Sequence, residues 1–148
     1  MSLCFMNNGN LKPGIHQLSW KEFTKEYGYN VHRQTLLSGL KMACTILRKH
    51  GCRDVYIDGS FVAQTELPND YDGCWDPTGV DIGGLIKEQP LFMNLTPPRL
   101  GQKAAFKGEL FLTTTLAGPP GKTMLDFFQL DRNLTPKGII KIDLNTII

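Results

Sequence analysis

An α/β chain built on a single mixed sheet is what this sequence predicts, from three observations. From about Val31 to His50, apolar residues recur at three- and four-residue steps, the pattern of one buried helix face. Short runs rich in β-branched and aromatic residues, around Val55-Tyr56-Ile57, from Glu109 to Thr114 and from Lys137 to Leu144, read as strands. Punctuation separates them: Gly51, Gly59-Ser60, Pro68-Asn69 and Pro77 close the runs. The chain has 148 residues, enough for one domain with a real core. The expectation is a sheet of roughly four or five strands, with the second helix packed on one face.

In order, residues 1–18 carry Gly9, Pro13 and Gly14 and little periodicity, and read as an irregular N-terminal arm. The domain proper is expected over residues 19–148. Ser19 with Glu22 forms a capping box for a first helix, which shares Trp20, Phe23 and Tyr27 on a face and ends at Gly28. In the second helix Leu36, Leu40, Ala43 and Leu47 make the stripe, and Arg48, Lys49 and His50 suit the dipole of the last turn. Arg53 to Asp58 is the first sheet strand, and Tyr71 to Trp75 the next. Gly79 to Lys87 reads as a short helix interrupted by Gly83-Gly84, and residues 90–98 as a loop. Arg99 to Phe106 reads as a short helix presenting Arg99, Lys103 and Lys107. Gly118 to Gly121 is a turn, and 123–130 a short amphipathic segment, helical or irregular.

Composition narrows the function classes. The net charge of +2 argues against a protein made to coat nucleic acid. No apolar run approaches a bilayer span, and the first ten residues lack a signal-peptide pattern, so a cytoplasmic protein is expected. Cys4, Cys44, Cys52 and Cys74 have no CxxC spacing and read as idle or buried thiols. His16, His32 and His50 lack partners at ligand spacing, and Arg132 beside Asp131 reads as a surface pair. Asn94-Leu95-Thr96 matches a glycosylation triplet by chance. Gly118 to Thr123 ends like a P-loop, but Leu116 stands where the first glycine is required and two prolines remove N–H donors.

Chemistry concentrates in residues 55–76. A strand ends in Gly59-Ser60, and after Pro68-Asn69 come Asp70 and Asp72 with Tyr71 between them. Alternation on a strand puts the two acids on one face and Tyr71 in the opposite layer. Neighbouring carboxylates repel unless a cation sits between them or one keeps its proton. A pair of hard oxygen ligands suits Mg²⁺ together with substrate phosphates. Gly59 admits a close backbone approach, and Ser60 adds a hydroxyl and an N–H for phosphate oxygens. On residue type alone, Asp70-Tyr71-Asp72 also fits an exposed turn.

Gly59-Ser60 followed by Asp70-x-Asp72 resembles the signature of the DNA polymerase beta–type nucleotidyltransferase superfamily. Asp58-Gly59-Ser60-Phe61, Pro68 to Asp72, Asp76 to Asp81, Gln102 to Phe111, Asp126 to Arg132 and Lys137 to Ile140 are similar to a group of small bacterial members, often encoded beside a helix-turn-helix protein in toxin–antitoxin-like pairs. The resemblance implies a nucleotidyltransferase-like sheet flanked by helices. It implies Mg²⁺ or Mn²⁺ as cofactor, a nucleoside triphosphate as substrate, and a protein or RNA acceptor, with an antitoxin-like protein as a further partner. It implies that Gly59 and Ser60 hold the triphosphate and that Asp70 and Asp72 hold metal. A third carboxylate from a later strand falls on Glu109, which equally fits a solvent-facing strand end; Asp76 and Asp81 are weaker candidates. Lys103 and Lys107 fit a role in neutralising triphosphate charge, and fit equally a solvated amphipathic surface. The alternative is an inactive nucleotidyltransferase-fold module that binds nucleotide or protein.

Overall fold

A computed structural model of the chain describes residues 3–94, 100–118 and 122–147. The expected loop over 90–98, the helix start at Arg99, the glycosylation triplet and the Gly118–Gly121 turn fall partly outside these residues. The first half contains β1 (Gly14–Ser19), α1 (Trp20–Tyr27), α2 (Val31–Lys49), β2 (Asp54–Asp58) and β3 (Tyr71–Trp75). Then come α3 (Ile82–Glu88), α4 (Leu100–Phe106), β4 (Gly108–Leu112), β5 (Leu116–Gly118), β6 (Lys122–Thr123), α5 (Met124–Phe127) and β7 (Gly138–Asp143).

Five strands make one mixed sheet in the order β1-β7-β2-β3-β4. The outer pairs, β1 with β7 and β3 with β4, are parallel; β7 with β2 and β2 with β3 are antiparallel. The α/β expectation holds, but the arm does not stay irregular. Residues 14–19 form an edge strand in which Leu18 alone is buried, so its alternation is too faint to read. Its pairing partner lies at the far end of the chain. β5 and β6 form a separate two-stranded ribbon, which the turn residues hid. Residues 113–115 leave the predicted strand as a turn, and Pro90–Met93 closes into a 3₁₀ turn.

One face of the sheet carries Val55, Ile57, Trp75, Leu110, Ile140 and Ile142, all buried against α1, α2 and α4. The amphipathic stripe of α2 supplies Leu36, Leu40, Ala43 and Leu47 to that core. Burial of each large aliphatic side chain contributes about 1.5–3 kcal/mol, so this layer supplies most of the driving force. Both hydrogen bonds of the Ser19/Glu22 capping box are present. Asn30, two residues past the α1 cap, starts α2 by accepting from the Arg33 N–H at 2.8 Å. The opposite face has a smaller layer of Cys74, Ile139 and Phe128, with Tyr56 and Phe111 against it. All four cysteines are free thiols. Among the described residues, no helix is long and apolar enough to cross a membrane.

Arg33 occupies a stripe position of α2, three residues before Leu36 and seven before Leu40, and is fully buried. Its guanidinium donates to the carbonyls of Tyr27 (3.2 Å), Phe61 (2.7 Å), Ala63 (3.4 Å) and Thr65. It also stacks over the rings of Tyr29 and Phe61, each 4.7 Å from the centroid. One side chain thus staples the segment after Gly59-Ser60 to the helix. Arg33→Leu strands these carbonyls in an apolar layer. Urea denaturation is expected to show a loss on the order of 3–5 kcal/mol; a loss below about 1 kcal/mol would remove the staple from the account.

Candidate functional site

Strand register builds the site. Asp58 on β2 is paired with Asp72 on β3, and Asp72 with Glu109 on β4. Directly opposed residues share a face, so the three carboxylates form one row. The next row on that face is Tyr56, Cys74 and Phe111, part of the small apolar layer. The acids therefore stand at the border between an apolar patch and solvent. Asp70 lies one residue before β3 rather than on it. Tyr71 faces the opposite layer, buried, with its hydroxyl donating to the Phe106 carbonyl at 2.7 Å.

That bond is one of three contacts that fix α4 over the acid-bearing strands. Gly39 of α2 is the second: a β-carbon there would meet the Phe106 carbonyl oxygen at 2.2 Å, so only glycine permits the approach. In the third, the buried Gln102 side chain accepts from the Leu110 N–H at 2.9 Å and donates to the Leu110 carbonyl at 3.3 Å, closing the outer edge of β4. α4 so held brings Lys103 Nζ to 3.1 Å from Glu109 Oε1 and 3.6 Å from Asp70 Oδ2. Glu109 is buried to 6% exposure rather than facing solvent. The structure thus gathers Asp70, Asp72, Glu109 and Lys103. Lys107, at φ 68°, serves as the left-handed stop between α4 and β4 and points to solvent.

Gly59 adopts φ 78°, a conformation that favours glycine, and turns the chain beside Asp72; a β-carbon on it would lie 3.7 Å from Asp72 Oδ2. Ser60 follows, exposed. Gly59, Ser60, Asp58 and Asp72 line a cleft of about 800 Å³, together with Arg132 and Lys137. Lys137 Nζ lies 3.0 Å from Asp58 Oδ1, close enough for strong attraction, although that oxygen completes no well-directed hydrogen bond. Asp58 and Lys137 are site residues that the pattern of acids did not single out. Their signals were present: Asp58 continues the Asp54–Tyr56 face of β2, and Lys137 immediately precedes the last strand.

The weaker acid candidates have local duties. Asp76 accepts from the Thr78 N–H at 2.9 Å, and Asp81 caps α3 through the Gly84 N–H at 3.1 Å. Asp131 accepts from the N–H groups of Asn133 and Thr135 rather than pairing with Arg132. His16 and His32 bond backbone carbonyls, and His50 pairs with Glu88.

Electrostatics follows from crowding. Burial pushes the Asp72 carboxyl up to about 6; the charges of Asp70, Glu109 and Asp58 push the same way, against Lys103. Burial also raises Asp58, opposed by Lys137. The hydrogen bond and charge of Glu109, with Asp70, raise Lys103. The site is a set of hard oxygen donors crowded together, of the ligand type that hard divalent cations take. Among the described residues, no three His, Cys, Asp or Glu side chains already surround one metal point. Between Asp70 and Glu109 the space is held by the Lys103 ammonium.

The folded chain holds the Asp72 proton more tightly than the unfolded chain does. Stability from this group is therefore full below the ordinary Asp range and is lost as pH rises through about 6. Asp72→Asn is expected to match the native chain near pH 4 and to exceed its stability by about 2 kcal/mol at pH 7.5 without metal, as read by urea denaturation. A native chain no less stable than Asp72→Asn at pH 7.5 would contradict the crowding.

No curated protein and no solved structure matches the chain. One family model does, described as a family of unknown function (DUF6932), over residues 3–143. That span takes in every strand of the sheet and all of the acidic row, and the chain is a member of the DUF6932 family.

Proposed function

We propose that the chain is a Mg²⁺-dependent nucleotidyltransferase that moves a nucleoside monophosphate from a triphosphate to a protein or RNA hydroxyl. The observation that carries this reading is the register of Asp72 with Glu109, joined to Asp70 through Lys103, beside the left-handed Gly59-Ser60 turn. Asp70, Asp72 and Glu109 are the residues that would hold Mg²⁺. When bound, the ion supplies charge neutralisation on the phosphates and acidifies the attacking hydroxyl. Gly59 and Ser60 offer N–H and hydroxyl donors to phosphate oxygens at the rim of the cleft. Lys103, released from Asp70 and Glu109, becomes a cation for the same phosphates. In the reaction the acceptor hydroxyl gives up its proton to solvent, its oxygen bonds to the α-phosphorus, the bond from that phosphorus to the α,β-bridging oxygen breaks, and pyrophosphate leaves. The cellular reading that accompanies this activity is a cytoplasmic toxin–antitoxin component.

A second reading, a nucleotide-binding or protein-interaction module without turnover, is favoured by Lys103 standing where a cation would sit. Turnover of α-labelled triphosphates, with pyrophosphate release, separates the two. Asp70→Asn and Asp72→Asn are each expected to lower Mg²⁺-dependent turnover by roughly 100-fold or more while leaving the melting temperature unchanged or raised. Glu109→Gln is expected to lower transfer more than triphosphate affinity. Full activity in Glu109→Gln refutes the three-carboxylate site, and nucleotide binding without turnover in the native chain selects the second reading.

A further inference from the structure

Two lysines reach the carboxylate row, and they differ in what they can do. Lys103 approaches from α4, lies outside the cleft and has a side chain 45% exposed. Lys137 approaches from the start of β7, lines the cleft with Gly59, Ser60 and Asp72, and has a side chain 15% exposed. Its partner Asp58 is buried, at 6% exposure, while Lys137 is partly buried. A partly buried ion pair costs desolvation that its own attraction offsets only in part, so a pair kept on the wall of an open cleft invites a use beyond stability. Asp58 holds the ammonium from one side, and among the described residues no second carboxylate pairs with it, which leaves N–H donors for a ligand. Arg132, exposed on the same cleft, adds a second positive charge. The cleft is therefore bipolar: carboxylates at Asp58, Asp72 and Asp131, cations at Lys137 and Arg132.

We infer that Lys137 is a substrate-binding residue, a phosphate anchor that holds a polyphosphate chain in the cleft without the help of metal. This rests on the nucleotidyltransferase reading and adds to it the residue that binds the anion first. Metal would then be needed for transfer and for tight binding, but not for capture.

The test is calorimetry of the native chain with inorganic tripolyphosphate and with ATP, in EDTA and in Mg²⁺, beside Lys137→Met and the double variant Asp58→Asn/Lys137→Met. The double variant removes the unpaired carboxylate that the single one leaves behind, so it keeps the fold and separates two roles for the lysine. Native chain is expected to bind tripolyphosphate in EDTA, and both variants to bind it roughly 10- to 100-fold more weakly. If the double variant recovers native affinity, Lys137 serves only to neutralise Asp58 and the anchor is overturned. Native affinity in Lys137→Met overturns it as well. If the native chain binds neither compound in EDTA but binds Mg-ATP, the anchor falls and the nucleotidyltransferase reading stands. If it binds neither in any condition, both fall.

Discussion

Like charges in register are the constraint on which the rest of this structure depends. Carboxylates about 5 Å apart on neighbouring strands repel by roughly 3 kcal/mol at an effective dielectric of about 20. The row Asp58–Asp72–Glu109 contains two such neighbours. A fold adopts this only with compensation, and two kinds are visible. Lys137 stands at one end of the row and Lys103 at the other. In the middle, Asp72 pairs with no lysine among the described residues, and burial, with the charges of Asp70, Glu109 and Asp58, raises its proton affinity. The centre of the row is thus the point most short of positive charge, and it adjoins the Gly59 turn.

Much of the remaining architecture holds this row in place. The core layer of α1 and α2 gives the sheet a rigid back, while the row itself lies on the thinly covered face. Arg33 fastens the segment after Gly59-Ser60, and the Gly39, Tyr71 and Gln102 contacts fasten α4. Each lies outside the chemistry and acts through a neighbour's position.

The parts legible in the sequence are those encoded locally. The α2 stripe, the Ser19/Glu22 box and the strand around Ile57 are readable because the signal for each lies within one segment. The Gly-Ser turn and the two aspartates are readable as residue types at short spacing. What is not legible is encoded by partners far along the chain. β1 is a strand because β7, more than a hundred residues later, pairs with it. Asp58 belongs to the site because of its register with Asp72, and Lys137 because β7 lies beside β2. Arg33 looks like a solvated helix residue until the carbonyls of 61–65 are brought to it. Glu109 is intermediate: its strand is predictable, but its burial beneath Lys103 depends on the placement of α4.

Lys103 gives the account its sharpest geometric consequence. Its ammonium spans Asp70 and Glu109, and a divalent ion at the row must displace it. A crystal structure of the chain with Mn²⁺ and a non-hydrolysable triphosphate tests this most directly, because the anomalous signal of Mn²⁺ locates the ion. The account predicts Mn²⁺ bound by Asp72 with Asp70 or Glu109, phosphates against Gly59 and Ser60, and Lys103 turned from the carboxylates to the phosphates. Triphosphate bound away from the row, or Lys103 still bridging Asp70 and Glu109 with no Mn²⁺ beside it, would contradict the account.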